Sequence, residues 1–332
     1  HGHKRVSLTD IVGRDMSRIN FDLSWRDEWT LGRGLRFGLT SSLGVDSFAI
    51  SQDSTVLGRS SQVTPAVAAT LRYPLHARGR DGAGYLIEPI AQLAWAGGSP
   101  STLPNDESLS SELDQGNLLS LSRFPVHDRR ETGTVGALGL RWERLHPDSW
   151  SAGVTLGQVF RDRSDRSFSN SSGLSGLTSD MLVALHYSAA WGGSIQARGL
   201  FDAQFQPVKA EARLGYTRDK WSLSGTYVQL KADPAENRTA SVAEWSLAST
   251  YKVNKHWTAN ANVQYDLLTD RFSKQGAKFL YLNECISVGF GATRSFARST
   301  TLVPATTYEL AVSLLGFSTG GSGKETRRTC RK

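Results

Sequence analysis

The sequence predicts an all-β protein, an antiparallel transmembrane β-barrel of the outer-membrane type, with about sixteen strands present. Three observations predict it. Apolar and polar side chains alternate with period two along unusually long segments, of about 10–15 residues. The links between segments are mostly short and long by turns, as an up-and-down barrel requires. Many segments begin or end in Trp or Tyr, which sit at membrane interfaces.

The segments begin near residues 4, 17, 34, 62, 83, 134, 150, 179, 194, 206, 221, 240, 257, 272, 285 and 305. In the stretch from Trp257 to Leu267, one face carries Trp257, Ala259, Ala261, Val263, Tyr265 and Leu267, and the other carries Thr258, Asn260, Asn262, Gln264 and Asp266. Ile19, Phe21, Leu23 and Trp25 alternate in the same way with Arg18, Asn20, Asp22 and Ser24. Tyr85, Ile87, Pro89, Ala91, Leu93 and Trp95 share one face, and so do Ala243, Trp245, Leu247, Tyr251 and Val253. Lys209, Glu211 and Arg213 oppose Val208, Ala210, Ala212, Leu214 and Tyr216, so charge faces a wet interior. The short links are 31–34, 146–149, 218–220, 253–256 and 283–284, and the longer polar ones are 53–61, 99–132, 164–178, 233–240 and 299–305. A soluble sandwich would have strands of about five or six residues. A propeller would show a repeat of about 40–50 residues, and the chain has none. No segment reads as an amphipathic helix longer than two turns. No window reaches the roughly 18 apolar residues of a membrane helix.

The chain has 332 residues, 39% of them hydrophobic and 21% charged. Its mean hydropathy of −0.33 fits a wall whose inner face is polar. Lys and Arg number 38 against 31 Asp and Glu, for a formal charge of +7. The arginines are dispersed and no nucleic-acid signature accompanies them, so no nucleic-acid partner is expected and an anionic membrane surface fits better. No nucleophile elbow or triad spacing appears around Asp10, Ser122 or His127, so no enzyme is expected, and no cofactor. His1 and His3 read as a terminus rather than a metal site. The chain opens without Met and without a signal-peptide core, as a mature chain or a fragment.

The two cysteines, Cys285 and Cys330, have no metal-ligand spacing. Counted back from a last strand over 306–317, Cys285 falls in a short turn on the same side as the chain end. Short turns face the periplasm in this class, which is oxidising. Residues 318–332 read as a flexible periplasmic tail long enough to reach a neighbouring turn. Free thiols and one disulfide both remain open.

One stretch does not read as a strand: the long polar link within 99–132, on the extracellular side. Loops beyond about 12–15 residues are usually functional. LIEPIAQLAW (86–95), LPNDES (103–108), ELDQGNLLSLSRF (112–124) and DRRETGT (128–134) resemble the C-terminal barrel region of the LptD family of lipopolysaccharide-assembly proteins. The residues that carry the resemblance are Glu88, Pro89, Pro104, Asn105, Ser108, Asn117, Leu118, Ser120, Arg123, Phe124, Asp128, Arg129, Glu131 and Gly133. YLNECISVGFGATRSF (281–296) and TYELAVSLLGF (307–317) resemble the family's last hairpins. Val126-His127 stands where the family often has Gly, and Asp114-Gln115-Gly116 shifts its acidic spacing.

The resemblance implies outer-membrane lipopolysaccharide translocation and assembly at the cell surface, with outer-membrane lipids around the barrel and an LptE-like plug lipoprotein as partner. It also implies that these strands are the C-terminal part of a larger barrel, and a periplasmic LptA-like bridge reached through a jelly-roll domain absent from this chain. Asn105, Asp106, Asn117, Arg123, Asp128 and Arg129 are then candidates to line or cap the lumen, although pinning a long loop by hydrogen bonds and ion pairs is the better reading for most of them. The family's lateral opening lies between first and last strands. This marks Pro304, Tyr308, Leu310, Val312, Leu314 and Phe317 as the seam strand, where Pro304 cannot donate to a ladder. In the family a cysteine at the Cys285 turn bonds to the periplasmic domain. A porin-like passive channel for small solutes, constricted by 99–132, is the alternative.

Overall fold

The structure is a computed structural model and describes residues 2–4, 9–56, 58–98, 107–108, 111–296 and 303–314. Its strands are β1 (Gly2–His3), β2 (Asp15–Thr30), β3 (Arg36–Ser51), β4 (Arg59–Arg72), β5 (Leu75–Arg78), β6 (Gly84–Ala96), β7 (Gly133–Leu145), β8 (Trp150–Arg161), β9 (Met181–Ala189), β10 (Gly193–Phe201), β11 (Pro207–Arg218), β12 (Trp221–Leu230), β13 (Val242–Lys252), β14 (Trp257–Asp266), β15 (Arg271–Leu282), β16 (Ile286–Ser295) and β17 (Ala305–Leu314). They form one 17-stranded sheet, and every ladder is antiparallel. The only helical pieces among the described residues are 3₁₀ turns at Gly32–Gly34, Asn170–Ser172 and Pro234–Glu236.

Fifteen of these strands, β2–β4 and β6–β17, start within three residues of where the alternation predicts; of the first expected segment, from near residue 4, only Gly2–His3 is a described strand, and residues 9–13 form a turn. The addition is β5, which continues β4 against β6: Arg72 pairs with Ile90 and Leu75 with Ile87, in one register. Pro74 and Pro89 stand at the break, and neither has an N–H to give the ladder. The described part of the last strand covers Ala305–Leu314, and Phe317 lies outside the described residues.

Connections alternate without exception. At one end lie 31–35, 79–83, 146–149, 190–192, 219–220, 253–256 and 283–285. At the other lie 52–58, 97–132, 162–180, 202–206, 231–241, 267–270 and 296–304. We call these the short-turn and the long-loop ends.

On β2 and β6 the apolar face is the exposed one. On β6, Ile87, Leu93 and Trp95 are exposed while Glu88 and Gln92 are buried; on β2, Ile19, Phe21, Leu23 and Trp25 are exposed while Arg18 is buried. This inverts the soluble pattern and is what a lipid solvent selects. Aromatic pairs across the ladders ring the short-turn end: Trp150–Tyr187, Trp191–Tyr216, Trp221–Tyr251 and Trp257–Tyr281, with centroids 6.1, 6.0, 4.4 and 5.1 Å apart. Tyr227–Trp245 and Tyr265–Phe272, both at 5.0 Å, do so towards the other end. The fold is thus a transmembrane β-barrel wall of the outer-membrane type, and its buried apolar cluster lies on the lumenal side.

Candidate functional site in the lumen

That lumenal cluster is built by the long link. Leu113, Leu118 and Phe124 of the link pack with Val135 and Ala137 of β7, Val159 of β8, Leu182 of β9 and Leu200 of β10, together with Phe168 and Leu174 from the link 162–180. Phe124 and Phe168 stack with centroids 4.4 Å apart. Leu118, 3% exposed, enters a pit made by two glycines. Gly139 and Gly157 face each other across the β7–β8 ladder. A Cβ on Gly157 would lie 2.6 Å from a Leu118 methyl, and one on Gly139 3.2 Å from it. Only a wall without side chains there lets the loop approach so closely.

Polar contacts tie the same loop to strands far apart in the sheet. Arg130 reaches Asp22 on β2 at 2.7 Å and Asp46 on β3 at 2.8 Å. Its guanidinium lies over Gly44, where a Cβ would stand 2.6 Å from Cζ. Arg18 of β2 pairs with Glu107 at 3.2 Å. Gln92 of β6 donates to the Leu119 carbonyl at 3.0 Å. On the opposite flank Glu112 pairs with Lys209 of β11, and with Arg198 of β10 at 3.4 Å. The link therefore crosses the lumenal face from β2 to β11, inside the wall rather than above it.

At its centre lies a buried Arg–Glu–Arg group. The Glu131 carboxylate pairs with Arg123 at 3.1 Å and with Arg161 of β8 at 3.2 Å, and accepts from the Arg123 backbone N–H. Arg123 also donates to the Leu118 carbonyl, and Arg161 to the Leu174 carbonyl. Burial pulls the Arg123 guanidinium below its ordinary pKa, and Glu131 opposes that shift. The link 162–180 is braced in turn by 231–241: Asp233 accepts from the Ser171 N–H at 2.7 Å, and Arg238 donates to the Ser171 hydroxyl at 2.7 Å.

The candidates from sequence fall into this frame unevenly. Asp128 accepts from the backbone N–H groups of Glu107 and Ser108, at 3.0 and 3.1 Å, and from the Ser108 hydroxyl. Asn117 donates to the Glu112 carbonyl and accepts from the Asp114 N–H, closing a tight turn. Arg123 holds the buried group, and Arg129 is not free either. These residues pin the loop to itself and to the wall. Asn105, Asp106 and Ser110 lie outside the described residues. The sequence marks Lys209 as a lumen-facing charge and Arg18 and Asp22 as polar-face residues, but assigns none of these, nor Asp46 and Arg161, a partner in the loop, and it does not single out the clamp residue Arg130 of the link. The only signal of the wall residues is a charge on the inward parity of a strand. Tyr308, Leu310, Val312 and Leu314 lie on β17, whose residues are all exposed, and Pro304 directly precedes it. Cys285 sits in the turn 283–285, its N–H donating to Asn283; no described cysteine is a free thiol. Cys330 lies outside the described residues. No group of His, Cys, Asp or Glu among the described residues could hold a metal ion.

On the short-turn side of the loop a cavity of about 670 Å³ opens. Gln115, Leu118 and Leu119 roof it, and its walls carry Arg72, Glu88, Arg141, Glu143, His186, Arg198, Glu211 and Arg213. The layering follows the registers. On β7, Val135 and Ala137 touch the loop and Arg141 and Glu143 face the cavity; on β6, Gln92 holds the loop and Glu88 faces the cavity.

Residues 3–257 match the model of a family described as LPS transport system D. The match runs through the loop and ends before the hairpins at 281–296 and 307–317. No curated protein matches the chain. Among solved structures, a triple mutant of the Rhodopseudomonas blastica porin is 15% identical, with 90% of this chain and 89% of that one covered and a TM-score of 0.29. The ferric-catecholate import receptor Fiu from E. coli K12, in its open form, is 10% identical over 90% of this chain and 55% of that one, also with a TM-score of 0.29.

Proposed function

The chain belongs to the LptD family of lipopolysaccharide transport proteins, and from that premise we propose that it is the barrel wall through which lipopolysaccharide reaches the cell surface, working with an LptE-like plug lipoprotein. The barrel stands in the outer membrane, where its exposed apolar face meets lipid. The short-turn end, with Cys285 and the chain end, faces the periplasm, and an LptA-like bridge delivers lipid to that end through a domain outside this chain. The observation that carries the reading is that the family match includes the long link 97–132, whose described residues fold into the polar interior. A lipid with a sugar head and acyl tails needs a polar interior for the head and an apolar exterior for the tails, and the face parity of every strand supplies both. The transport needs no covalent chemistry from the chain, and the proposal assigns it none. The seam residues of β17 act as one side of a lateral opening.

The test is replacement of the native barrel gene by the full-length gene in a depletion strain, with newly made lipopolysaccharide measured at the surface. Normal delivery, lost when residues 111–132 are deleted, is the expected result. Failure of the full-length gene to restore delivery, with a steady ohmic conductance in planar bilayers, would establish the porin-like channel instead. Non-reducing mass spectrometry tests the cysteines: the expected result is Cys285 in a disulfide, either with Cys330 or with the periplasmic domain, and two freely alkylated thiols would remove that part of the proposal.

A further inference from the structure

The lumenal loop is anchored on a short segment that is itself anchored from elsewhere. Ser171, Ser172, Gly173 and Leu174 of the link 162–180 are all buried, and their polar groups bind two different links. The Ser172 carbonyl accepts from the Leu113 N–H of the lumenal loop at 2.9 Å. The Leu174 carbonyl accepts from Arg161, which pairs with Glu131 of the same loop. The Ser171 N–H donates to Asp233 of the link 231–241, and the Ser171 hydroxyl accepts from Arg238, each at 2.7 Å. Ser169 donates to Glu236 of that link as well.

The segment has little room to give at one end alone. A 3₁₀ turn over Asn170–Ser172 ends at Gly173, whose φ of 72° is left-handed. A Cβ on Gly173 would stand 2.7 Å from a Leu200 methyl on β10, so only glycine closes the turn against the wall. The Ser172 hydroxyl donates to the Ser169 carbonyl at 2.6 Å and accepts from the Leu174 N–H at 3.0 Å. The Gly173 carbonyl accepts from the Asp180 N–H at 2.9 Å. Packed, fully bonded elements of this kind shift between discrete arrangements rather than deforming by degrees.

The link 231–241 is mostly exposed and lies at the long-loop end, with Asp233 turned in and 3% exposed. Asp233 also accepts from the Ala235 N–H at 3.0 Å, and its backbone exchanges two hydrogen bonds with Arg238, at 2.7 and 3.0 Å. Outside the link itself, its described side chains bond to Ser169, Ser171 and Asp202, and to nothing in 111–132.

We infer that the link 231–241 controls docking of the lumenal loop without bonding to it. Release of Asp233 and Arg238 frees Ser171–Leu174, and that segment carries the anchors of Leu113 and Arg161 with it. The lumenal loop is thus opened from a solvent-facing hairpin through a buried relay. The relay concerns the motion of the loop and holds whatever passes the lumen, so it stands apart from the transport reading.

The test is amide exchange on the full-length protein in nanodiscs, read separately over 111–124, 162–180 and 231–241. Asp233→Ala should lower protection over 111–124 by about tenfold or more, the loss expected for one buried charged hydrogen bond. Thr239→Ala, an exposed change in the same link, should leave it unchanged. Arg238→Ala and Ser171→Ala break the same bond between the links, so the double variant should lose no more than Arg238→Ala alone. Coupling is reciprocal: Leu118→Ala, which loosens the loop from its glycine pit, should lower protection over 231–241. If Asp233→Ala fails to insert into the membrane, Asp233→Asn takes its place, with a severalfold loss expected over 111–124. A loss confined to 162–180 and 231–241 overturns the relay. So does a Leu118→Ala protein whose 231–241 link stays as protected as before, and so does an additive loss in the Arg238 and Ser171 double variant.

Discussion

If Leu118 holds the loop by filling the glycine pit, then a residue added to the pit should replace what is removed from the loop. Leu118→Ala removes a buried leucine and leaves a void, at a cost of about 2–5 kcal/mol. Gly157→Ala alone puts a methyl 2.6 Å from one Leu118 methyl and 2.8 Å from the other, an overpacking that costs about 1–3 kcal/mol. The three nearest neighbours of that new Cβ are all Leu118 side-chain atoms. With Leu118 shortened the clash vanishes and the methyl enters the void. The double variant should therefore cost no more than Leu118→Ala, giving a coupling of about 1–3 kcal/mol between the two sites. The assay is amide exchange of the loop backbone over 111–124 in the full-length protein in nanodiscs, which reads local opening. A loss of about 3 kcal/mol corresponds to roughly a hundredfold lower protection. Gly157→Ala should lower protection by itself, yet add nothing to Leu118→Ala. Additive losses, within about 0.5 kcal/mol, would show that the loop does not dock through the pit.

Three further outcomes are expected. Glu131→Gln leaves Arg123 and Arg161 buried without a counter-charge, so it should destabilise docking of 122–131 by about 3–5 kcal/mol; protection there that matches the unsubstituted protein would show that the group is not holding the loop. Arg130→Ala frees the loop from Asp22 and Asp46, at a cost of roughly 1.5–3 kcal/mol for each charged hydrogen bond. It should raise entry of large hydrophilic antibiotics severalfold, and unchanged entry counts against the clamp. Leu93→Arg places a charge on the lipid-facing side of β6 and should cost about 2–4 kcal/mol near the bilayer midplane. This is read by urea unfolding from liposomes, and a shift below about 0.5 kcal/mol would contradict the face assignment.

The sequence by itself determined the wall. Lipid on one face and water on the other force period two on every spanning strand, so Ile19, Phe21, Leu23 and Trp25 declare their face without any tertiary information, and fifteen strand starts were legible from alternation. β5 was not, because Pro74 and Pro89 blur the pattern where a strand merely breaks its ladder. The loop's existence and its internal turns were also legible, since Asn117 and Asp128 act on residues close by in the chain. Only the tertiary structure decided where the loop lies. Asp22, Asp46, Gly157 and Lys209 carry no local mark of a partner in residues 111–132. Their roles arise when the sheet curves and brings the inner faces of β2 and β11 to a single segment. Arg72 and Glu88 belong to the same class: they come to line one chamber only because the loop roofs the space they share.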